Sequence, residues 1–595
     1  MAALLQNDDS GPPSAVNGPN WGGGAADMPA ALAIHAKIRA ATGLGARGRV
    51  VWALVLVLHI MAVGVLAWSE AGLVPKLAFI LAWGFTNFFW LLVLRRPVLS
   101  AALSLVLLVA LVLLSRLKFH VLLTTVSFVD VMIIDRDAIA YLFTIFHGLG
   151  LTVAVVTMVL LPLLTLFWWF DPLRVPRQLA LSGLAACACG LVGLASWEPL
   201  DHVDSFYGGN YLSSFARSGV EAISEFSVHG FMESDAVVAE RLQSADETKC
   251  VPAQRPPHII LVHDESSFDI RMAPGIKVPE GYGAHFASYD GKQRRFLVEG
   301  AGGPSWYTEY NVFSGLSARS FGRFAYFVTH LAAGRVRRGL PNALRRCGYT
   351  TFSLYPWLGA FMSARNFQST AGVQRFRDIG DLGSNNLEPD SFFYDEAARI
   401  IERERATGPI FIFTYLAANH FPWTSRYRPG LMPDWRDPGN APNIDEYLRR
   451  QAMSVNDYSN FVARLKRDFP DEAFLIVRFG DHQPEFAAEL IEPGLDQVKL
   501  AQRLMAYDLR YLTTYYAIDA INFTPVDVSS ALDALDAPYL PLVVQEAAGL
   551  PLDPSFAEQK KIFQRCRGMF YACSGGAEAR RFNRLLIEAG LIKRL

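Results

Sequence analysis

Residues 473–484 read AFLIVRFGDHQP, and this stretch decides the fold. The run from Ala473 to Phe479, apolar except for Arg478, has the length and composition of a buried strand. It ends in Gly480-Asp481-His482, which brings a carboxylate and an imidazole to the carboxyl edge of a sheet. Open α/β sheets assemble their sites at that edge. Carboxylate oxygen and neutral imidazole nitrogen both belong to the ligand set of zinc and manganese. An Asp-His pair alone is more often a turn or a helix cap than a metal site. Its weight depends on what the rest of the chain supplies.

Upstream, similar short runs occur at 258–263, 350–355 and 409–415, separated by helical stretches such as 445–469. That alternation indicates an α/β domain with a mostly parallel sheet. The first run ends in His263-Asp264-Glu265-Ser266-Ser267, which sets Glu265 at the same edge as Asp481 and His482. Next comes Gly300-Ala301-Gly302-Gly303-Pro304-Ser305, a glycine-rich turn opening an apolar helical run. Free backbone N–H groups and a positive dipole end there suit an anion. The spacing is not that of a dinucleotide fingerprint. A Ser305 hydroxyl held beside a divalent cation would have its pKa lowered and could act as a nucleophile. Thr308, one turn later, is the alternative, and Ser305 taken alone reads most simply as a helix cap.

The 595 residues are 51% hydrophobic and 19% charged, with a net charge of −1, and the apolar residues concentrate in the first third. Stretches 50–68, 73–94, 98–115, 149–170 and 178–196 each approach the roughly 20 residues needed to cross a bilayer. Lys37, Arg39, Arg47 and Arg49 precede the first span, Arg95 and Arg96 follow the second, and Arg174 and Arg177 follow the fourth. These three segments share one side, read as cytoplasmic, so everything after about residue 197 lies outside. The expected organisation is a disordered cytoplasmic N-terminus (1–49), five transmembrane helices (50–196), an interfacial linker (197–256) and the α/β domain (257–595). The first span serves as an uncleaved anchor. Residues 117–147 are too polar to cross and suit the outer surface. Of six cysteines, Cys187 and Cys189 lie in the fifth span, Cys250 and Cys347 are far apart, and Cys566 and Cys573 sit close together where a disulfide is permitted.

The ordered set of Glu265, the Gly-Gly-x-Ser turn, Asn419-His420 and Gly480-Asp481-His482 resembles the sulfatase/alkaline phosphatase superfamily. More narrowly it resembles the lipoteichoic acid synthase-like branch, with its membrane-anchored phosphoglycerol and phosphoethanolamine transferases. Five spans followed by an extracytoplasmic catalytic domain is also that branch's architecture. The resemblance implies Ser305 as nucleophile, where the branch commonly has Thr. It implies Glu265, Asp481 and His482, with Ser305, around a divalent ion, zinc or manganese. His420 and Arg365 would hold the substrate phosphate. The signature from which sulfatases make formylglycine is absent, because Trp306, Tyr307 and Thr308 follow Ser305. That argues against sulfate ester hydrolysis.

The implied activity is transfer of a phospholipid head group to an envelope glycan or glycolipid through a phospho-serine. The enzyme would sit in the bacterial inner membrane with its catalytic domain in the periplasm, and no nucleic acid partner is expected. Gly480-Asp481-His482-Gln483-Pro484 leans toward phosphatidylglycerol as donor. Phosphoethanolamine transfer from phosphatidylethanolamine is the alternative, as is an exported metal-dependent phosphodiesterase. No spare acid can be placed from sequence to receive an ethanolamine ammonium, although Glu309 or Asp264 could supply one.

Overall fold

A computed structural model describes residues 46–595, except 123, 135, 147, 201–207, 239–240, 243–249, 253 and 594. The N-terminal stretch expected to be disordered lies almost wholly outside the described residues.

Among the described residues, five helices are long and apolar enough to cross a membrane. They are α1 (Ala46–Ser69), α2 (Leu73–Leu94) and α3 (Pro97–Leu122), then, after short helices α4 (Phe128–Ile133) and α5 (Arg136–Ile145), α6 (Leu149–Phe170) and α7 (Arg177–Trp197). Large apolar side chains such as Leu56, Leu151, Met158 and Trp169 are exposed on them. Such surface is tolerable on a helix whose solvent is lipid, because its backbone groups are satisfied internally. Small residues let α2 and α7 approach closely: a Cβ added at Gly183 would lie 2.5 Å from the Phe88 ring, and one at Gly190 2.8 Å from Leu81.

Helix α8 (Tyr211–His229) links this bundle to the α/β domain. Arg323 ion-pairs with Glu221 at 2.8 Å and Glu225 at 3.0 Å, both on α8. Beyond it, Glu233 N–H donates to Ser320 O at 2.8 Å.

The soluble domain is built on eight strands: β1 (His258–Asp264), β2 (Arg294–Leu297), β3 (Thr350–Leu354), β4 (Arg375–Arg377), β5 (Ile410–Leu416), β6 (Phe474–Gly480), β7 (Thr513–Ile521) and β8 (Ala534–Asp536). Their order is β4-β3-β5-β1-β6-β7-β2-β8. Only β7 runs antiparallel to its neighbours, β6 and β2. The central strands β1, β5 and β6 are mostly apolar and buried along their whole length because both faces are covered. Ile259, Leu261, Phe413, Leu475 and Val477 pack on one side, with Tyr310 and Phe313 of α9 (Ser305–Ser314). Ile260, Val262, Ile412 and Ile476 pack on the other, with Ile400 of α10 (Asp390–Glu404) and Leu465 of α11 (Pro442–Asp468). Truncating one of these to alanine would cost about 2–5 kcal/mol.

The topology makes the site. β1 lies between β5 and β6, and Asp264 is in register with both Leu416 and Gly480. The three strands therefore end level, and Glu265, the 417–420 loop and Asp481-His482 emerge side by side. Gly480 is dictated by this crowding, since a Cβ there would lie 1.8 Å from Ser267 O. Disulfides join Cys250 to Cys347 and Cys566 to Cys573. The first spans 97 residues and was not legible from spacing.

Candidate metal and nucleophile site

Ser305 is the first residue of α9, preceded by Gly302 and Gly303 at φ +70° and +157°. These left-handed and extended conformations favour glycine, and Gly302 N–H donates to Gln483 O at 3.1 Å, tying the turn to the loop after His482. Ser305 Oγ donates to Glu265 Oε2 at 3.3 Å and lies 3.2 Å from His482 Nε2. His482 Nδ1 donates to Gln483 O at 2.9 Å, which fixes the ring and turns Nε2 toward the site. Nε2 is 3.4 Å from both Glu265 Oε1 and Asp481 Oδ2. Asp481 Oδ1 accepts from Ser266 N at 2.8 Å and His482 N at 2.9 Å, which leaves Oδ2 facing the others. Thr308, the alternative nucleophile, is excluded by position: it is fully buried and its hydroxyl donates to Asp481 O at 2.6 Å.

The sequence missed two members of this cluster. His263 precedes Glu265 by two residues, so strand alternation puts both on one side of β1. Its ring stacks on Tyr415 at 3.8 Å between centroids, the residue in register with it on β5. Tyr415 donates its hydroxyl to Glu265 Oε2 at 2.6 Å. His263 Nε2 lies 3.0 Å from Asp481 Oδ2, yet the alignment makes no hydrogen bond, and both atoms are buried without a partner. One ligand atom each from His263, Glu265 and Asp481 lie within 4.8 Å of one another.

Two carboxylates converging in full burial need positive charge. Burial alone would raise the Glu265 pKa, but the hydrogen bond from His482 and the charges of His420, His482 and His263 hold it well below the usual range. Burial alone would lower that of His482, but Asp481 and Glu265 push it up to about 9. A divalent cation would take over the role of the His482 Nε2 proton, and the unpaired Asp481 Oδ2, the imidazole nitrogen so freed and the hard Glu265 oxygens fit a zinc-like ion.

His420 lies on the wall of a cavity of about 810 Å³ that also exposes Ser305 and Tyr415. Its Nδ1 donates to Phe421 O at 2.8 Å, and its ring packs against Trp357 at 4.8 Å. Buried Arg450 pins this loop by donating to His420 O at 2.7 Å and Pro422 O at 3.0 Å. Arg365 departs from expectation. Its guanidinium donates to Asp378 at 2.6 Å and Asp381 at 2.7 Å, and it is not among the residues lining the cavity. The two aspartates after β4 satisfy its charge, leaving none over for a phosphate.

Residues 303–508 match the family model described as Sulfatase. That segment, which holds Ser305, His420, Asp481 and His482, resembles the Sulfatase family. No curated protein sequence matches the chain. Among solved structures, this sulfatase-like chain is similar to the Streptococcus pyogenes phosphoglycerol transferase GacH, at 13% identity over 58% of this chain and 88% of that one, TM-score 0.44. It is similar to the lipooligosaccharide phosphoethanolamine transferase EptA of Neisseria meningitidis, at 12% identity over 80% and 95%, TM-score 0.40. It is also similar to the periplasmic domain of Escherichia coli EptC in complex with zinc, at 14% identity over 53% and 88%, TM-score 0.38.

One turn after Ser305, Glu309 is fully buried in the sulfatase-like domain, accepting from Gln368 Nε2 at 2.8 Å. Burial raises its pKa to about 7, against that hydrogen bond, the charge of His263 and Tyr355. A carboxyl raised in the folded state binds its proton more tightly there than in the unfolded chain. The stability this gives is complete below about pH 4.5 and is lost as pH rises through 7. Glu309→Gln keeps the shape and removes the titration, so it should match wild type near pH 4 and exceed it near pH 8, by up to about 3 kcal/mol. Denaturation midpoints of the detergent-solubilised protein across this range check it. Parallel pH curves for the two proteins would exclude Glu309 as the source.

Proposed function

We propose that the protein is a membrane-bound head-group transferase that takes phosphoglycerol from phosphatidylglycerol and passes it to an envelope glycan or glycolipid. The observation that carries this is a serine hydroxyl at a helix start, set among buried carboxylates and imidazole, in a cavity also walled by the membrane bundle. Lys118 and Phe119 at the end of α3 line the same cavity as Ser305. A lipid donor can therefore be met at the bilayer surface.

In the first half-reaction Ser305 Oγ releases its proton to solvent and attacks phosphorus, the Oγ–P bond forms, and the P–O bond to diacylglycerol breaks. In the second, an acceptor hydroxyl attacks the phosphoserine, and Oγ leaves and takes a proton back from solvent. His420, with Nδ1 engaged and Nε2 free, is placed to give a proton to the departing oxygen and take one from the acceptor. Glu265, Asp481, His482 and Ser305, with His263 beneath, would hold a divalent ion, whose charge stabilises the developing negative oxygens. Tyr415 and Ser266 keep Glu265 oriented, Ser266 Oγ donating to its Oε1 at 2.7 Å.

The basic residues before and in the first turn of α1 and at the α2–α3 and α6–α7 turns support a cytoplasmic N-terminus. Two disulfides in and beside the soluble domain support its export to an oxidising compartment such as the periplasm.

Ethanolamine remains a second reading because of one residue. Asp264 is engaged by His285 at 3.0 Å and Tyr515 at 2.6 Å, and Glu309 by Gln368, so neither is spare. Glu485, however, lies on the cavity wall beside Gly302, with no hydrogen bond or ion pair among the described residues, and could receive an ammonium. Purified protein given labelled phosphatidylglycerol should release diacylglycerol and carry label on Ser305. Faster release from phosphatidylethanolamine, slowed by Glu485→Gln, would reassign the donor; release with label passing only to water would make the protein a phosphodiesterase.

A further inference from the structure

The cavity extends past the nucleophile to Arg319, and this arginine differs from its neighbours. Lys118 on the same wall is paired with Asp130 at 2.7 Å, and Arg323 with Glu221 and Glu225. Arg319 has no side-chain hydrogen bond or ion pair among the described residues, and its Nη1 is buried without a partner. The guanidinium is instead clamped between two rings, 4.1 Å from the Tyr507 centroid and 4.9 Å from that of Tyr571. The rings are themselves fixed, Tyr507 OH donating to Asp536 at 3.0 Å and Tyr571 OH to Glu233 at 3.2 Å. Cation–π contact holds an arginine in place but leaves its in-plane N–H fork unused.

Glu299, on the same cavity wall, makes no hydrogen bond to that fork. Glu299 accepts from Ser317 Oγ, from Asn311 Nδ2 at 2.8 Å and from Ala318 N at 2.7 Å, and burial raises its pKa against these bonds and the through-space charge of Arg319. Arg319 is half-buried, and a buried, unpaired N–H such as its Nη1 is costly unless a ligand completes it; the ligand its planar fork fits is an oxyanion held by two parallel hydrogen bonds.

We propose that Arg319 is a second anion subsite, separate from Ser305, that binds a phosphate group carried by the acceptor. This rests on the head-group transfer reading, in which the donor phosphorus must lie at Ser305 and the acceptor enters the same cavity. About 810 Å³ lies toward the upper end of the range for drug-sized ligands and leaves room for both. The phosphate can belong to a lipid or to a glycan. Leu500, Leu504 and Met505 of α12 (Gln497–Met505) add an apolar wall near Tyr507 that a lipid would use.

The test is calorimetric titration of the full-length protein in detergent, stripped of divalent ions by chelation, with inorganic phosphate and with dioctanoyl phosphatidic acid. Wild type should bind phosphate. Arg319→Gln should weaken binding at least tenfold, and Arg319→Lys, which keeps the charge but not the fork, by a smaller factor. Tighter binding of phosphatidic acid with the same arginine dependence assigns a lipid source, and equal binding assigns a glycan phosphate. Phosphate binding unchanged in both variants, or absent from wild type, overturns the subsite. Diacylglycerol release measured on the same wild-type preparation keeps the two readings apart. Release without arginine-dependent phosphate binding defeats the subsite alone, and arginine-dependent binding without release defeats the transfer reading alone.

Discussion

Ser305→Ala should abolish transfer, with a loss on the order of 10⁵-fold or more, the scale seen when a nucleophile is removed. Ser305 Oγ is the hydroxyl that contacts both Glu265 and His482. Thr308 cannot substitute, because its hydroxyl is spent on the Asp481 carbonyl in full burial. Folding should survive: alanine is well tolerated in a first helical turn, and the lost hydroxyl makes only the long 3.2–3.4 Å contacts to His482, Glu265 and Gly303. Release of diacylglycerol from labelled donor measures the loss, and an unchanged melting profile separates it from misfolding. Activity retained in Ser305→Ala would show that the covalent intermediate forms elsewhere or not at all.

Asp481→Asn should remove both bound metal and turnover, the latter by at least about 10³-fold. The change is isosteric, but only a carboxylate can accept from Ser266 N and His482 N while offering its second oxygen to a cation. An amide must either turn its NH2 against those two donors or present it to the ion. Metal content by mass spectrometry, beside activity with and without added zinc or manganese, reads both effects. Full metal occupancy in Asp481→Asn would place the ion elsewhere. His263→Ala offers a finer contrast, since His263 touches Asp481 from beneath. Loss of metal there would make it a ligand, and retained metal with slowed turnover would make it a support.

How much of this was legible in the sequence follows from what kind of signal each residue leaves. The five spans declare themselves by hydropathy, and the sheet by apolar runs that end in Glu265 and Gly480-Asp481-His482. Level strand ends then bring Glu265, Asp481 and His482 together by register alone. Tyr415 and His263 carried no motif, because a residue that braces a ligand from an adjacent strand is visible only once strand order is known. With strand alternation, His263 two places before Glu265 was the available hint. Arg365 failed for the opposite reason: its motif position was plausible, but Asp378 and Asp381 come from another segment and neutralise it. Arg319 is distinguished only by what it lacks, and a missing partner leaves no trace in a sequence.

The ion pairs from Arg323 to α8 have a kinetic consequence. They hold the soluble domain against the bundle, with Ser305 opening onto a cavity walled in part by Lys118 and Phe119 of α3. An enzyme tethered this way samples a film instead of a volume. Its encounters depend on the mole fraction of donor within the leaflet and on lateral diffusion, and total lipid in suspension drops out of the rate. With the proposed phospholipid donor, saturation becomes a property of membrane composition, so a cell that changed its phospholipid ratio would change the output without altering how much of the protein is made.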